Sequence, residues 1–108
     1  TLEESLAPRP ALPGDVEADV AIVGAGYTGL WTAYWLTRLQ PDLRIVIVEK
    51  EIAGFGASGR NGGWCSALFP TSLTRIAREG GREGAIALQR AMNATVLRMG
   101  ETLAEEGI

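Results

Sequence analysis

Six residues constrain this chain more than any others. Gly24-Ala25-Gly26-Tyr27-Thr28-Gly29 stands between an apolar run that stops at Val23 and a stretch that is apolar at helical spacing. Residues 19–23 are short, β-branched and bounded by glycine, which predicts a buried strand. Residues 27–39 are apolar at Leu30, Ala33, Tyr34, Leu36 and Leu39, the spacing of one helical face. Pro41 limits that helix, because the residue before a proline avoids the helical region. Residues 44–48 (RIVIV) predict a second buried strand. Strand, helix and strand within about thirty residues make a βαβ unit with parallel strands and a right-handed crossover.

A lone G-x-G-x-x-G is a weak signal. Here it follows a strand and opens a helix, as a dinucleotide-binding turn requires. Gly24 permits the tight turn, Gly26 leaves room for a pyrophosphate to approach the backbone, and Gly29 lets the helix pack close to the strand. The helix N-terminus offers unpaired N–H groups and a positive dipole end to phosphate. The second strand runs into Glu49, twenty residues after Gly29. A carboxylate there accepts hydrogen bonds from both ribose hydroxyls of an adenosine and repels a 2′-phosphate.

Of the fourteen glycines, eight lie between Gly24 and Gly63. Five of those follow the acid, in a loop over residues 50–63. The stretch Ser58-Gly59-Arg60-Asn61-Gly62-Gly63 combines backbone freedom with a hydroxyl, a guanidinium and an amide. It is open to two readings, a loop that bends back over a bound nucleotide or a flexible surface loop. From Thr71 the composition turns helical. A short helix over residues 72–78 should stop at Gly80-Gly81. A longer one over residues 83–106 carries Ala85, Leu88, Met92, Val96, Met99 and Leu103 on one stripe.

Asp19 to Glu49, followed by Gly56-Ala57-Ser58-Gly59-Arg60-Asn61-Gly62-Gly63, resembles the FAD-dependent amine and amino-acid oxidoreductases, the D-amino-acid oxidase/dehydrogenase-like family. With the long helix ending in Glu105-Glu106-Gly107-Ile108, it looks closest to the γ-glutamylputrescine oxidoreductase branch. The resemblance spans about residues 13–108. It implies an α/β fold, a Rossmann-like FAD-binding βαβ unit followed by a glycine-rich loop and helices, incomplete in this chain. It divides the chain into an irregular N-terminal arm (1–17) and the N-terminal part of an FAD-binding domain (18–108), with the substrate domain absent. It implies cofactor contacts at Gly24, Gly26, Tyr27, Thr28, Gly29, Glu49, Lys50, Ser58, Gly59, Arg60, Asn61, Gly62 and Gly63. It further implies oxidation of a C–N bond of an amine or amino acid by hydride transfer to the flavin.

The remaining features bound the alternatives. Ten Lys+Arg against thirteen Asp+Glu argue against nucleic acid as a partner. No stretch is long enough to span a bilayer, and with no secretory signal visible the expected residence is cytoplasmic. The single cysteine, Cys65, reads as a small buried thiol rather than a flavin link. Trp64 either walls the flavin site or packs beneath the loop. Trp31, Tyr34 and Trp35 read as helix packing. Histidine is absent and no carboxylate pair has site-like spacing. No catalytic residue or metal ligand is therefore named, and the substrate site is expected mostly in the remaining part of the same polypeptide. Two competing readings are a non-catalytic nucleotide-binding module and a fragment of an NAD-dependent enzyme. The loop after Glu49 speaks against the second, because a further αβ unit belongs there.

Overall fold

The computed structural model describes residues 7–108. The described part of the arm, residues 7–17, contains no helix or strand, and its first six residues lie outside the described residues. The elements then run β1 (Val20–Val23), α1 (Tyr27–Leu39), β2 (Ile45–Val48), a 3-10 turn (Ala57–Gly59) and α2 (Leu73–Glu105). The architecture is mixed α/β. It separates into two compact units, one reaching to Gly62 and one running from Gly63 to Ile108.

In the first unit β1 and β2 pair in parallel, with Val20 opposite Ile45 and Val23 opposite Val48. The connection between them is α1, so the expected βαβ order is present. Asp19 locks the register at the entrance to both strands. Its carboxylate accepts from the Arg44 backbone amide at 2.8 Å and from the Arg44 guanidinium at 3.0 and 3.2 Å. The Asp19 amide in turn donates to the Arg44 carbonyl at 2.9 Å. At the other end, the Gly24 amide donates to the Val48 carbonyl at 2.8 Å.

The helix lies so close to β1 that a side chain at Gly29 would run into the Gly24 carbonyl and come within 3.2 Å of Ile22 Cγ2. Gly24 itself has φ +98°, a conformation that other residues adopt at a cost. On α1, Trp31 and Tyr34 meet edge-to-face at 5.5 Å, and Tyr34 meets Trp35 likewise at 5.4 Å. All three rings are half-buried, in keeping with helix packing. The helix ends where Gln40 donates to the Leu36 carbonyl, one residue before Pro41.

In the second unit, the break expected at Gly80-Gly81 is found at Gly81, whose φ of +79° interrupts α2. The short helix expected over residues 72–78 forms the part of α2 before that break, with Ser72 capping it by accepting from the Arg75 amide. The apolar stripe is narrower than its sequence pattern. Ala85 is buried and Met92, Val96 and Met99 are half-buried, whereas Leu88 and Leu103 are exposed. Thr102 takes a buried place on that face by returning its hydroxyl to the Arg98 carbonyl at 2.9 Å. Cys65 is not buried as expected: it is exposed, with its thiol donating to the Met99 sulfur at 3.2 Å. Trp64 is 83% exposed. Among the described residues no helix is long and apolar enough to cross a membrane.

Two outcomes test this packing. Gly29→Ala is expected to destabilise the intact protein by about 1–3 kcal/mol, because the obstacle is backbone that cannot rotate aside. An unchanged urea midpoint would show that α1 does not sit this close to β1. The Asp19 carboxyl is lowered from 3.8 to about 2, first by the Arg44 side-chain bond and then by the Arg44 amide. A depressed carboxylate contributes stability above its unfolded value, and the contribution is lost as pH falls through the folded value. Acid unfolding followed by circular dichroism should therefore show a component between about pH 4 and 2 that Asp19→Asn lacks.

Candidate functional site

The glycine turn, the acid and the second loop converge on Ala25. This residue is 5% exposed, and both its backbone groups are committed across long sequence distances. Its amide donates to Glu49 Oε2 at 2.9 Å, and its carbonyl accepts from the Gly54 amide at 2.8 Å. The chain leaves β2 at Val48, folds the Glu49 side chain onto the turn, and closes the loop against it through Gly54. Gly54 has φ +76°, which suits glycine. A second close approach sits inside the loop, where a side chain on Gly59 would meet the Gly54 carbonyl.

Glu49 also accepts from the Glu51 amide at 3.1 Å. The Ala25 amide first, and the Glu51 amide second, hold its carboxyl below the ordinary glutamate range. Hydrogen bonds to the charged form favour it, so an anionic acceptor stands at the end of β2. The neighbouring Lys50 is exposed, with its ammonium 4.0 Å from the Glu51 carboxylate.

Four amides open α1, at Gly26, Tyr27, Thr28 and Gly29. The first turn of a helix has no internal partner for such groups. Among the described residues only the Tyr27 amide finds an acceptor, Ser58 Oγ at 2.9 Å. That hydroxyl comes from the 3-10 turn, 31 residues away. Gly26 is also close to the second loop. A side chain there would lie 3.0 Å from Ser58 Oγ, so the small residue lets the second loop come near the turn.

The other loop residues hold the loop itself. Arg60 Nε donates to the Phe55 carbonyl at 2.6 Å, and its guanidinium lies 4.5 Å from the centre of the Phe55 ring. Asn61 donates to the Ala57 and Ser58 carbonyls at 2.8 and 2.9 Å. Gly62 ends the first unit, and Gly63, with φ +66°, begins the second. The structure thus brings together Gly24, Gly26, Tyr27, Thr28, Gly29, Glu49, Ser58 and Gly59. It leaves Lys50 exposed, keeps Arg60 and Asn61 on loop carbonyls, and puts Gly63 in the other unit. Sequence reading missed Ala25, Gly54 and Phe55. The available signal was the glycine at position 54 soon after the acid, where a sharp return of the chain needs positive φ.

Comparison with known proteins decides what such an arrangement belongs to. The family model for FAD dependent oxidoreductases matches residues 19–108. The chain belongs to this family. FAD is the family's cofactor. Residues of the chain fit such a group: the amides at the start of α1 would be donors for its phosphates, and the Glu49 carboxylate seated on the Ala25 amide would be an acceptor for its ribose hydroxyls. No acidic or thiol cluster of metal-ligating character occurs among the described residues.

Over 99 residues the chain is 34% identical to gamma-glutamylputrescine oxidoreductase of Escherichia coli, covering 92% of this chain and 22% of that enzyme. It is 50% identical over 54 residues to the probable oxidoreductase OrdL of Rhizobium meliloti, covering 50% of this chain and 12% of that protein. It is 48% identical over 52 residues to thiamine thiazole synthase of Aspergillus oryzae, covering 48% of this chain and 16% of that enzyme. The chain therefore spans about a fifth or less of the length of these relatives. No solved structure gives a significant match.

The Glu49–Ala25 bond is directly observable. In a pH titration of the intact protein by NMR, the Ala25 amide shift should move with a midpoint below that of an ordinary glutamate, and Glu49→Gln should abolish the movement. A midpoint in the ordinary range would show that the carboxylate does not sit on the turn.

Proposed function

We propose that this chain is the N-terminal part of a Rossmann-like FAD-binding domain in an enzyme that oxidises a C–N bond of an amine or amino acid. The observation that carries the cofactor half of the reading is the Glu49 carboxylate seated on the Ala25 amide, beside the open amides of α1. Such an acid stands where adenosine ribose hydroxyls approach, and such amides stand where a pyrophosphate lies. Gly24, Gly26, Thr28 and Gly29 are the residues assigned to the pyrophosphate, with Tyr27 alongside, and Glu49 is assigned to the ribose. Lys50, Ser58, Gly59, Arg60, Asn61, Gly62 and Gly63 are assigned to the remainder of the cofactor's surroundings.

The amine half rests on the 34% identity to gamma-glutamylputrescine oxidoreductase, which extends over nearly the whole chain. The likeness to thiamine thiazole synthase stops after about half of it. When bound, flavin supplies an acceptor for hydride from the carbon bearing nitrogen, and the resulting imine hydrolyses in water. The residues of this chain bind and orient; none is assigned to proton transfer. The substrate is a small amine or amino acid, and the remaining part of the same polypeptide supplies most of its site. The membership of an FAD-dependent family sets the NAD-dependent alternative aside.

In the intact protein, Glu49→Ala should lower flavin content severalfold, whereas Glu83→Ala, an exposed change on α2, should not. Equal flavin in both variants would remove the ribose assignment. The reaction class is tested by anaerobic addition of a panel of primary amines, γ-glutamylated amines and amino acids. Bleaching of the flavin band with release of ammonia or a smaller amine is expected for at least one member. Bleaching by none of these, but by an alcohol or hydroxy acid tested alongside, would overturn the amine reading.

A further inference from the structure

We propose that Ser58 is a latch that caps α1 from outside the helix and so holds the second glycine loop in its cofactor-ready position before any cofactor arrives. The proposal rests on the FAD-site reading above and assigns Ser58 a positioning role within it.

A helix N-cap is ordinarily the residue just before the first turn, whose side-chain oxygen accepts a nearby orphan N–H. Here that residue is Gly26, which has no side chain and makes no cap bond. The acceptor is supplied by Ser58 Oγ, 2.9 Å from the Tyr27 amide. Residue 26 must remain small for this to happen, since a side chain there would lie 3.0 Å from the same oxygen. Gly26 and Ser58 therefore form one device, in which the first position gives up its own cap and the second loop fills the space.

The device has a consequence for order. A loop with five glycines from Gly54 to Gly63 loses much backbone freedom when it is fixed. Two attachments hold it to the glycine turn, the Gly54–Ala25 bond at its start and the Ser58–Tyr27 bond in its middle. Asn61, on the Ala57 and Ser58 carbonyls, stiffens the turn that presents the hydroxyl. A hydroxyl that accepts from a helix N–H still has its own proton to donate. The latch therefore leaves a donor at the positive end of α1 while holding the loop.

The test uses the intact protein stripped of flavin. Trypsin cleavage of the Arg60–Asn61 bond is timed by mass spectrometry, with the Arg90–Ala91 bond as internal reference. Loss of a cap bond corresponds to about a fivefold change in an opening equilibrium. Ser58→Ala and Gly26→Ala, which attack the contact from opposite sides, should each speed cleavage at Arg60 by about that factor. Ser58→Thr, which keeps the hydroxyl, should restore the slow rate. The double variant Gly26→Ala/Ser58→Ala should be no faster than Ser58→Ala alone. FAD affinity, measured by flavin fluorescence quenching, should fall in Ser58→Ala and recover in Ser58→Thr. Unchanged cleavage in both single variants, or fast cleavage in Ser58→Ala with undiminished FAD affinity, would overturn the proposal. If the wild-type protein failed to bind FAD at all, the site reading itself would fall, while the cleavage rates would still report on the latch.

Discussion

The closeness of α1 to β1 governs everything else in the first unit. Gly29 lies against the Gly24 carbonyl and Ile22 with no room for another atom. That contact fixes where the helix starts and therefore where its four opening amides point. It also leaves Ala25 buried at the corner of the turn, where its amide and carbonyl must find partners. Both partners come from the segment after β2, so the fold of the second loop follows from the tightness of the first.

The electrostatics follow the same order. Asp19 and Arg44 pair at the entrance to the two strands, and Glu49 takes the Ala25 amide at their exit. Exposed pairs such as Asp19–Arg44 add little stability by themselves. This one combines guanidinium bonds with two backbone bonds, so its main effect is on register, and a parallel pair of four-residue strands depends on that. At the exit the charge is of the opposite use: a carboxylate held ionised beside the positive end of a helix. FAD, the family's cofactor, carries both phosphates and ribose hydroxyls, and helix-opening amides and a carboxylate are groups of the kinds that bind them.

Much of this was legible from residue order. The apolar runs before Gly24 and before Glu49 identified the strands, because short β-branched stretches bounded by glycine or charge have few other uses. The spacing of Leu30, Ala33, Tyr34 and Leu36 identified α1, and Gly80-Gly81 marked the break in α2. Other features could not be read. The stripe on α2 counted Leu88 and Leu103 as buried and overlooked Thr102, because periodicity records polarity and not which side chains can satisfy their own hydroxyls. Cys65 was expected to be buried on the average behaviour of thiols, and it is exposed, with its thiol against the Met99 sulfur.

What the sequence by itself determined was the order of elements, the glycine turn and the acid that faces it, since strand and helix periods and the φ demands of glycine are local properties. What only the tertiary structure decided was how the second loop is used. Ser58 and Arg60 look equally suited to a ligand on chemistry alone. In the folded unit Ser58 reaches a helix amide 31 residues away, while Arg60 stays on the Phe55 carbonyl. The reason is geometric: the hydroxyl fits into the gap that Gly26 leaves open, and that gap exists only when α1 is already packed on β1.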